Sequence, residues 1–330
     1  MRPVRALVLI LLSPLLVALG VLYVPVLLVG MVIYMRRLGA TRGQASGTAY
    51  EPLQMRLVYH LLGNRPDPVA FELTPHLPAT DWGFLPVLIS PFVWSIKLLG
   101  FIPKAFRYPP SNPTTFSGMM GARCKLIDDA LEEHAAHGDQ VVLLGAGWDV
   151  RGYRRPADQS VPWFEVDTPG TQAIKLTAVE AAYLDASAVT YVTCDFTEQT
   201  WLDALDGHGF DRSRRTYVIW EGVSMYLNDE VIAATLRAVT TLPAGSRIAF
   251  DLFTRQWLET KLGLAARRTV KRTYDEPWTW GLELDGPLAP SVEAYLGAHG
   301  LNVDRCWQLG FESEGVPAVG AVVLAAVPER

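Results

Sequence analysis

The chain has 330 residues, half of them hydrophobic and only 19% charged, against roughly 25% charged in an ordinary soluble domain. That length excludes a disulfide-stapled miniprotein. Three widely spaced cysteines (Cys124, Cys194, Cys306) with no CxxC point to a reducing compartment and away from a zinc site. The net charge of −5 is uneven: residues 1–110 hold ten Lys/Arg and four Asp/Glu, net +6, and the remainder nineteen and thirty, net −11. An acidic body argues against nucleic-acid binding, whereas a basic, apolar first third suits an anionic membrane leaflet.

Residues 6–35 carry no charge between Arg5 and Arg36. As a helix this run would reach roughly 45 Å, more than the ~30 Å of a bilayer core, so residues 1–37 read as a retained transmembrane anchor with kinks at Pro14 and Pro25. A cleaved signal peptide with Arg2 and Arg5 as its basic start is the alternative. The run is twice a usual signal core, however, and Arg36-Arg37 follow it at once. Residues 40–49 are rich in Gly, Ser and Thr and read as a short linker. A second apolar stretch, 82–103, is broken by Pro86, Pro91 and Lys97. It reads as an interfacial segment or the apolar cover of a pocket rather than a span. Residues 38–114 together are expected to form a linker and a helical, apolar lid.

From Gly118 the pattern changes. A helix is expected over 123–136, and strands over 140–144, 161–166, 189–194, 216–220, 246–252 and 319–327, the last paired with 302–309. Alternation of the first five with helical segments is the pattern of a doubly wound parallel sheet.

The chemistry gathers at the strand ends. Val141-Val142-Leu143-Leu144 runs into Gly145-Ala146-Gly147-Trp148-Asp149, a glycine turn where backbone can approach a ligand. It is not a dinucleotide GxGxxG, because Val150 stands where the third glycine would, and this disfavours a nicotinamide dehydrogenase. The second strand ends in Glu165-Val166-Asp167, and an acid there can accept from both hydroxyls of a ribose. The third ends in Cys194-Asp195-Phe196, an acid and an aromatic suited to an adenine. The fourth ends in Trp220-Glu221-Gly222 and leads to Tyr226. Taken singly, each acid is a plausible helix cap or solvated loop residue. Four at successive strand tips outline a nucleoside pocket.

The series Arg123-(x)4-Asp128-Asp129, Gly145 to Arg154, Phe164-Glu165-Val166-Asp167, Cys194-Asp195-Phe196, Trp201-Leu202 and Glu221 to Leu227 resembles the leucine carboxyl methyltransferase family. These are class I S-adenosylmethionine-dependent enzymes whose bacterial members include O-methyltransferases of polyketide pathways. The resemblance covers residues 115–330. It implies a Rossmann-like α/β sheet with an antiparallel C-terminal strand and S-adenosyl-L-methionine as cofactor. The family does not ordinarily carry the anchor at residues 1–36, and Val150 replaces its usual threonine. The resemblance implies that Arg123 meets the methionine carboxylate of the cofactor and that Gly145, Ala146 and Gly147 pass beneath it, with Asp149 in the same motif. Asp167 would hold the ribose, Asp195 and Phe196 the adenine, and Glu221 and Tyr226 would lie near the sulfonium. For Arg123, a surface pairing with Asp128 or Glu132 is the plainer alternative. Tyr226 could equally be a core residue.

Methyl transfer from a sulfonium needs alignment and desolvation more than acid–base machinery. A carboxylate acceptor needs no base; a hydroxyl acceptor would draw one from His208, Glu221, Tyr226 or the lid. No catalytic residue is assigned, no metal is expected, and His60 and His76 read as structural. Specificity is expected from 50–115 and 255–290, the latter basic and aromatic. The chain thus reads as a single-pass, membrane-tethered O-methyltransferase with its catalytic domain in the cytoplasm, acting on a small-molecule or lipophilic carboxylate or hydroxyl. A non-catalytic scaffold of the same fold is the alternative.

Overall fold

Runs of β-branched and aromatic residues form seven strands: Gln140–Leu144 (β1), Trp163–Asp167 (β2), Val189–Thr193 (β3), Thr216–Trp220 (β4), Arg247–Phe253 (β5), Asn302–Leu309 (β6) and Gly320–Ala326 (β7). The computed structural model describes residues 3–81, 85–100, 102, 106–108, 116–135, 139–154, 161–310 and 317–329. The strands form one sheet in the order β3-β2-β1-β4-β5-β7-β6. Strands β1 to β5 pair in parallel, whereas β7 is antiparallel to both β5 and β6. This is a Rossmann-like α/β sheet with an antiparallel C-terminal strand, the arrangement that the resemblance implies. Each expected strand is present, with ends displaced by at most two residues.

Both faces of the sheet are covered, so its central strands are buried throughout. Strand periodicity divides the core accordingly. Val142, Leu144, Phe164, Val218 and Phe250 point into one layer, beneath Asp229–Thr240 (α8) and Leu288–Ala298 (α11). Val141, Leu143, Trp163, Ile219 and Ala249 point into the other. That second layer is roofed by Tyr50–Leu62 (α2), Pro68–Leu73 (α3), Phe116–His134 (α5) and Pro169–Ala181 (α6). The remaining helices are Pro3–Ala40 (α1), Leu85–Leu99 (α4), Trp201–Ala204 (α7), Arg255–Leu258 (α9) and Lys261–Tyr274 (α10).

Helix α1 runs through Pro14 and Pro25 without a break, and its large apolar residues from Val17 to Met35 are mostly exposed. The segment Val17–Ala40 is long and apolar enough to cross a membrane, a test that a signal sequence also passes. Its last turns belong to the body of the protein. Leu38 is buried, and the Tyr34 ring meets Tyr50 edge-on at 6.3 Å between centroids. Helix α4, at fifteen residues, would reach only about 22 Å and is too short to span. It lies against α1 and against α2, where Leu62, Val93 and Ile96 form a small apolar cluster.

The expected linker at 40–49 is a correction. It is a folded turn whose polar groups are bonded: Arg42 Nη2 donates to the Arg272 and Thr273 carbonyls at 2.9 and 2.6 Å, Ser46 Oγ donates to Glu276 at 3.2 Å, and the Ser46 backbone amide donates to Thr171 Oγ1 at 3.2 Å. Short polar side chains, read from sequence as flexible, here find partners and fix the chain.

At the junction of β5, α9 and β7, Thr254 is fully buried. Its hydroxyl donates to the Ala318 carbonyl at 2.5 Å and accepts from the Trp257 amide at 3.2 Å, capping α9. Thr254→Val keeps the shape but leaves both groups unpaired. It should lower unfolding free energy by about 1–3 kcal/mol, measured as a fall in denaturant midpoint.

Candidate functional site

Because β1 to β4 are parallel and adjacent, their carboxyl ends share one edge of the sheet, and the order reverses between β1 and β4. A crevice at that switch point is where such sheets bind ligands. A cavity of about 1030 Å³ opens there. All ten residues that the resemblance assigns to the cofactor line it: Arg123, Gly145, Ala146, Gly147, Asp149, Asp167, Asp195, Phe196, Glu221 and Tyr226.

The glycine turn is shaped for close approach. Gly145 and Gly147 have φ of +66° and +42°, which side-chain-bearing residues rarely adopt, and a Cβ on Gly147 would stand 2.9 Å from the Ala49 methyl. Asp167 closes the turn from β2: its Oδ2 accepts from the Gly147 amide at 2.6 Å and its Oδ1 from the Thr168 amide at 2.7 Å. Burial raises its pKa, and those two amides oppose the rise. Asp195 forms a local turn, its Oδ1 accepting from the Thr197 amide and hydroxyl, and these bonds lower its pKa.

The remaining acids are engaged with arginines. Arg123 is buried and is no surface residue: its Nε donates to Glu221 at 2.9 Å and its Nη1 to Asp251 at 3.2 Å, rather than to Asp128 or Glu132. Glu221 also accepts from Arg151 Nη2 at 2.7 Å. Arg151, which the sequence reading passed over, bonds in addition to Asp149 and to Asp128, the latter at 2.5 Å. Asp128 further meets Arg56 at 3.4 Å, Arg65, and Arg154 at 3.5 Å, while Asp67 takes Arg154 and lies 3.6 Å from Arg56. Five arginines (56, 65, 123, 151, 154) and five acids (67, 128, 149, 221, 251) thus form one balanced network. Burial opposes ionisation of Glu221, but Arg151 and Arg123 overcome it and hold the carboxyl well below its ordinary range. Asp149 is likewise lowered, with Arg151 outweighing burial.

The roof consists of residues 43–56 and 274–278. Glu276 clamps the first segment: its Oε1 accepts from the Gly47 amide at 2.5 Å and its Oε2 from Ser46 Oγ at 3.2 Å and from the Thr48 hydroxyl. Gly170, at the start of α6, passes under this strap so closely that a Cβ would overlap the Gln44 carbonyl oxygen. Of the stretches expected to set specificity, 50–115 contributes Glu51, Pro52, Leu53 and Arg56, and 255–290 contributes Tyr274 to Trp278. None of the described residues of α4 lines the cavity.

The candidate bases fare differently. His208 is exposed and outside the cavity, Glu221 is held by two guanidiniums, and burial raises the Tyr226 phenol well above its ordinary value. His60 is structural, as expected: its Nδ1 accepts from the Asp67 amide at 2.9 Å. Glu51, unflagged in the sequence, lines the cavity and accepts from the Tyr274 hydroxyl at 2.8 Å. Burial raises its pKa, against Tyr274 and Arg123. Nothing in its local sequence marks it, because its partner lies 223 positions away.

Residues 103–240 match the family model of leucine carboxyl methyltransferase. A protein of Parafrankia sp. is 34% identical over 221 residues, 61% of this chain and 66% of its own, and one of Streptomyces coelicolor is 35% identical over 167 residues, 48% and 58%. Both are named, by inference, S-adenosyl-L-methionine-dependent methyltransferases, which bears out the expected cofactor at the level of the relatives. The chain spans about three fifths of the length of the curated relatives it matches. Among solved structures, a candidate methyltransferase of Thermobifida fusca covers 83% of this chain and 94% of its own at 13% identity, with a TM-score of 0.47.

The network's acids with lowered pKa contribute stability that is fully present above their unfolded pKa values, about 4, and is lost as pH falls through the folded values. Thermal unfolding followed from pH 7 to pH 3 should therefore show a steep fall below about pH 4. Glu221→Gln should lower the transition at pH 7 and flatten that fall, and Asp128→Ala should cost about 3–5 kcal/mol by leaving buried guanidiniums unbalanced.

Proposed function

We propose that the chain, which carries the leucine carboxyl methyltransferase domain over residues 103–240, is a membrane-tethered S-adenosylmethionine-dependent O-methyltransferase acting on a lipophilic carboxylate or hydroxyl compound. The observation that carries this reading is the convergence of ten residues, from separate stretches of the chain, on one cavity at the switch point of the sheet. Residues chosen for unrelated structural reasons would scatter.

The donor set suits the cofactor. Positive-φ glycines make a cradle that a Cβ would fill, Asp167 retains acceptor capacity for ribose hydroxyls, and Asp195 and half-buried Phe196 suit an adenine amino group and ring. Arg123 would meet the cofactor's carboxylate with the nitrogen not committed to Glu221 and Asp251. When bound, S-adenosylmethionine supplies a methyl group already activated on a sulfonium. What remains for the protein is to align the acceptor and exclude water. The clamped strap at 43–49 excludes water, and Met120, Met225, Phe253 and Trp278 give the wall an apolar, adaptable surface for an acceptor. For a hydroxyl acceptor, Glu51 is the carboxylate suited to take the proton, its raised pKa bringing it closer to working pH.

The exposed apolar face of α1 supports the tether. Thiols suited to a reducing compartment and a cytosolic cofactor support a cytoplasmic catalytic domain, with Arg36, Arg37 and Arg42 on the inner side.

Asp167→Ala should weaken binding of S-adenosylhomocysteine by about 1–3 kcal/mol in calorimetry, roughly 5- to 150-fold, while the chain stays folded. Unchanged affinity would remove Asp167 from the ribose site. Transfer of labelled methyl groups into a lipid extract tests Glu51. With a hydroxyl acceptor, Glu51→Gln should slow the reaction on the order of 10²-fold or more, and the parent rate should fall as pH drops through the raised Glu51 value. An unchanged rate would indicate a carboxylate acceptor.

A further inference from the structure

Helix α10 is anomalous in this protein. It carries Lys261, Arg267, Arg268, Lys271 and Arg272 in fourteen residues with no acid, on a body whose residues 111–330 have a net charge of −11. Lys261, Arg268, Lys271 and Arg272 are exposed, and so are Leu262, 76% exposed, and Leu264. A merely solvated helix face accounts for the cations but leaves the leucines in water unexplained.

Its position is also specific. The carbonyls of Arg272 and Thr273, in its last turn, accept from Arg42, two residues beyond the end of α1. Tyr274 packs among the same residues as Leu38, the buried end of the apolar helix. Since α10 is only about 21 Å long, the backbone positions of all its cations lie within about that distance of its last turn, where Arg42 is held. The nearest, Lys271 and Arg272, are within one turn. Helix α4, which also contacts α1, exposes Phe92, Leu99 and Trp94, the last a residue type that sits at the headgroup level.

From this arrangement we infer that the outer face of α10 is a docking surface for the anionic leaflet of the bilayer in which α1 sits. Cations meet the headgroups and Leu262 and Leu264 enter the acyl boundary, as basic amphipathic helices do. The inference rests on the tethered reading above and deepens it. The cavity roof from Tyr274 to Trp278 begins where α10 ends, so docking holds the cavity at the lipid surface. A lipophilic acceptor then reaches the cavity from the membrane instead of from water.

The test uses the full chain in nanodiscs of phosphatidylcholine alone or mixed with phosphatidylglycerol, with amide exchange read at 261–272. Exchange in the mixed discs should slow on the order of tenfold, and raised salt should reverse the effect. The charge-reversed variant Lys261→Glu/Arg268→Glu/Lys271→Glu/Arg272→Glu should lose it. A milder variant, Arg268→Gln/Leu262→Ser, should lose part of it, and unchanged exchange in β1 reports that each variant is folded. Equal exchange in both discs would overturn the docking surface while leaving the tether intact. Protection that depends on protein concentration and not on lipid would overturn it in favour of a second copy of the chain. A chain that stays in water and enters neither disc would overturn the tethered reading itself.

Discussion

Ten buried or half-buried charges hold the roof of this protein to its sheet. Arg56 comes from α2, Arg65 and Asp67 from the turn before α3, Arg123 and Asp128 from α5, and Asp149, Arg151 and Arg154 from the loop after β1. Glu221 directly follows β4, and Asp251 lies in β5. Apolar packing alone would let these elements slide, since dispersion contacts are non-directional. Guanidinium forks are directional, and an arginine withdrawn from water without its acid is costly. The network therefore specifies one seating of the roof over the strand ends, and the cavity takes its shape from that seating.

The same constraint explains why several acids are poor candidates for direct chemistry. Glu221 and Asp149 spend their charge on Arg151 and Arg123, so they act on the cavity through the position of those arginines. Asp167 and Asp195 lie at strand tips outside the network and are held instead by backbone amides. The division is physical: acids facing guanidiniums build the wall, and acids facing amides keep acceptor capacity for a ligand.

The strap at 41–49 joins two functions that the chain keeps apart in sequence. Arg42 ties it to α10, Glu276 clamps it, and Ala49 sits on the glycine turn. Whatever fixes the end of α1 thereby also fixes the roof of the cavity. A loose linker would leave the site indifferent to α1; here the strap and the end of α1 share hydrogen bonds.

The strands and the ten residues that line the cavity were legible in the sequence, because a parallel sheet writes itself as short apolar runs and the strand tips follow each run directly. Those signals are local. Gly145, Asp167, Asp195 and Glu221 could be found one strand at a time. What no local pattern contained was partnership. For Arg123 the only protein partners the sequence offered were Asp128 and Glu132 on its own helix, yet the acids it meets lie 98 and 128 residues away. Residues 40–49 looked like a linker, yet Glu276 fastens them from 229 positions off. Glu51 carried no signal, and Arg151, inside the glycine motif, had no role, until Tyr274 and Asp128 were brought beside them. Hydrophobic periodicity is a property of neighbouring residues and determined the sheet; charge pairing is a property of the folded arrangement, so only the tertiary structure decided which acids remain open to a ligand.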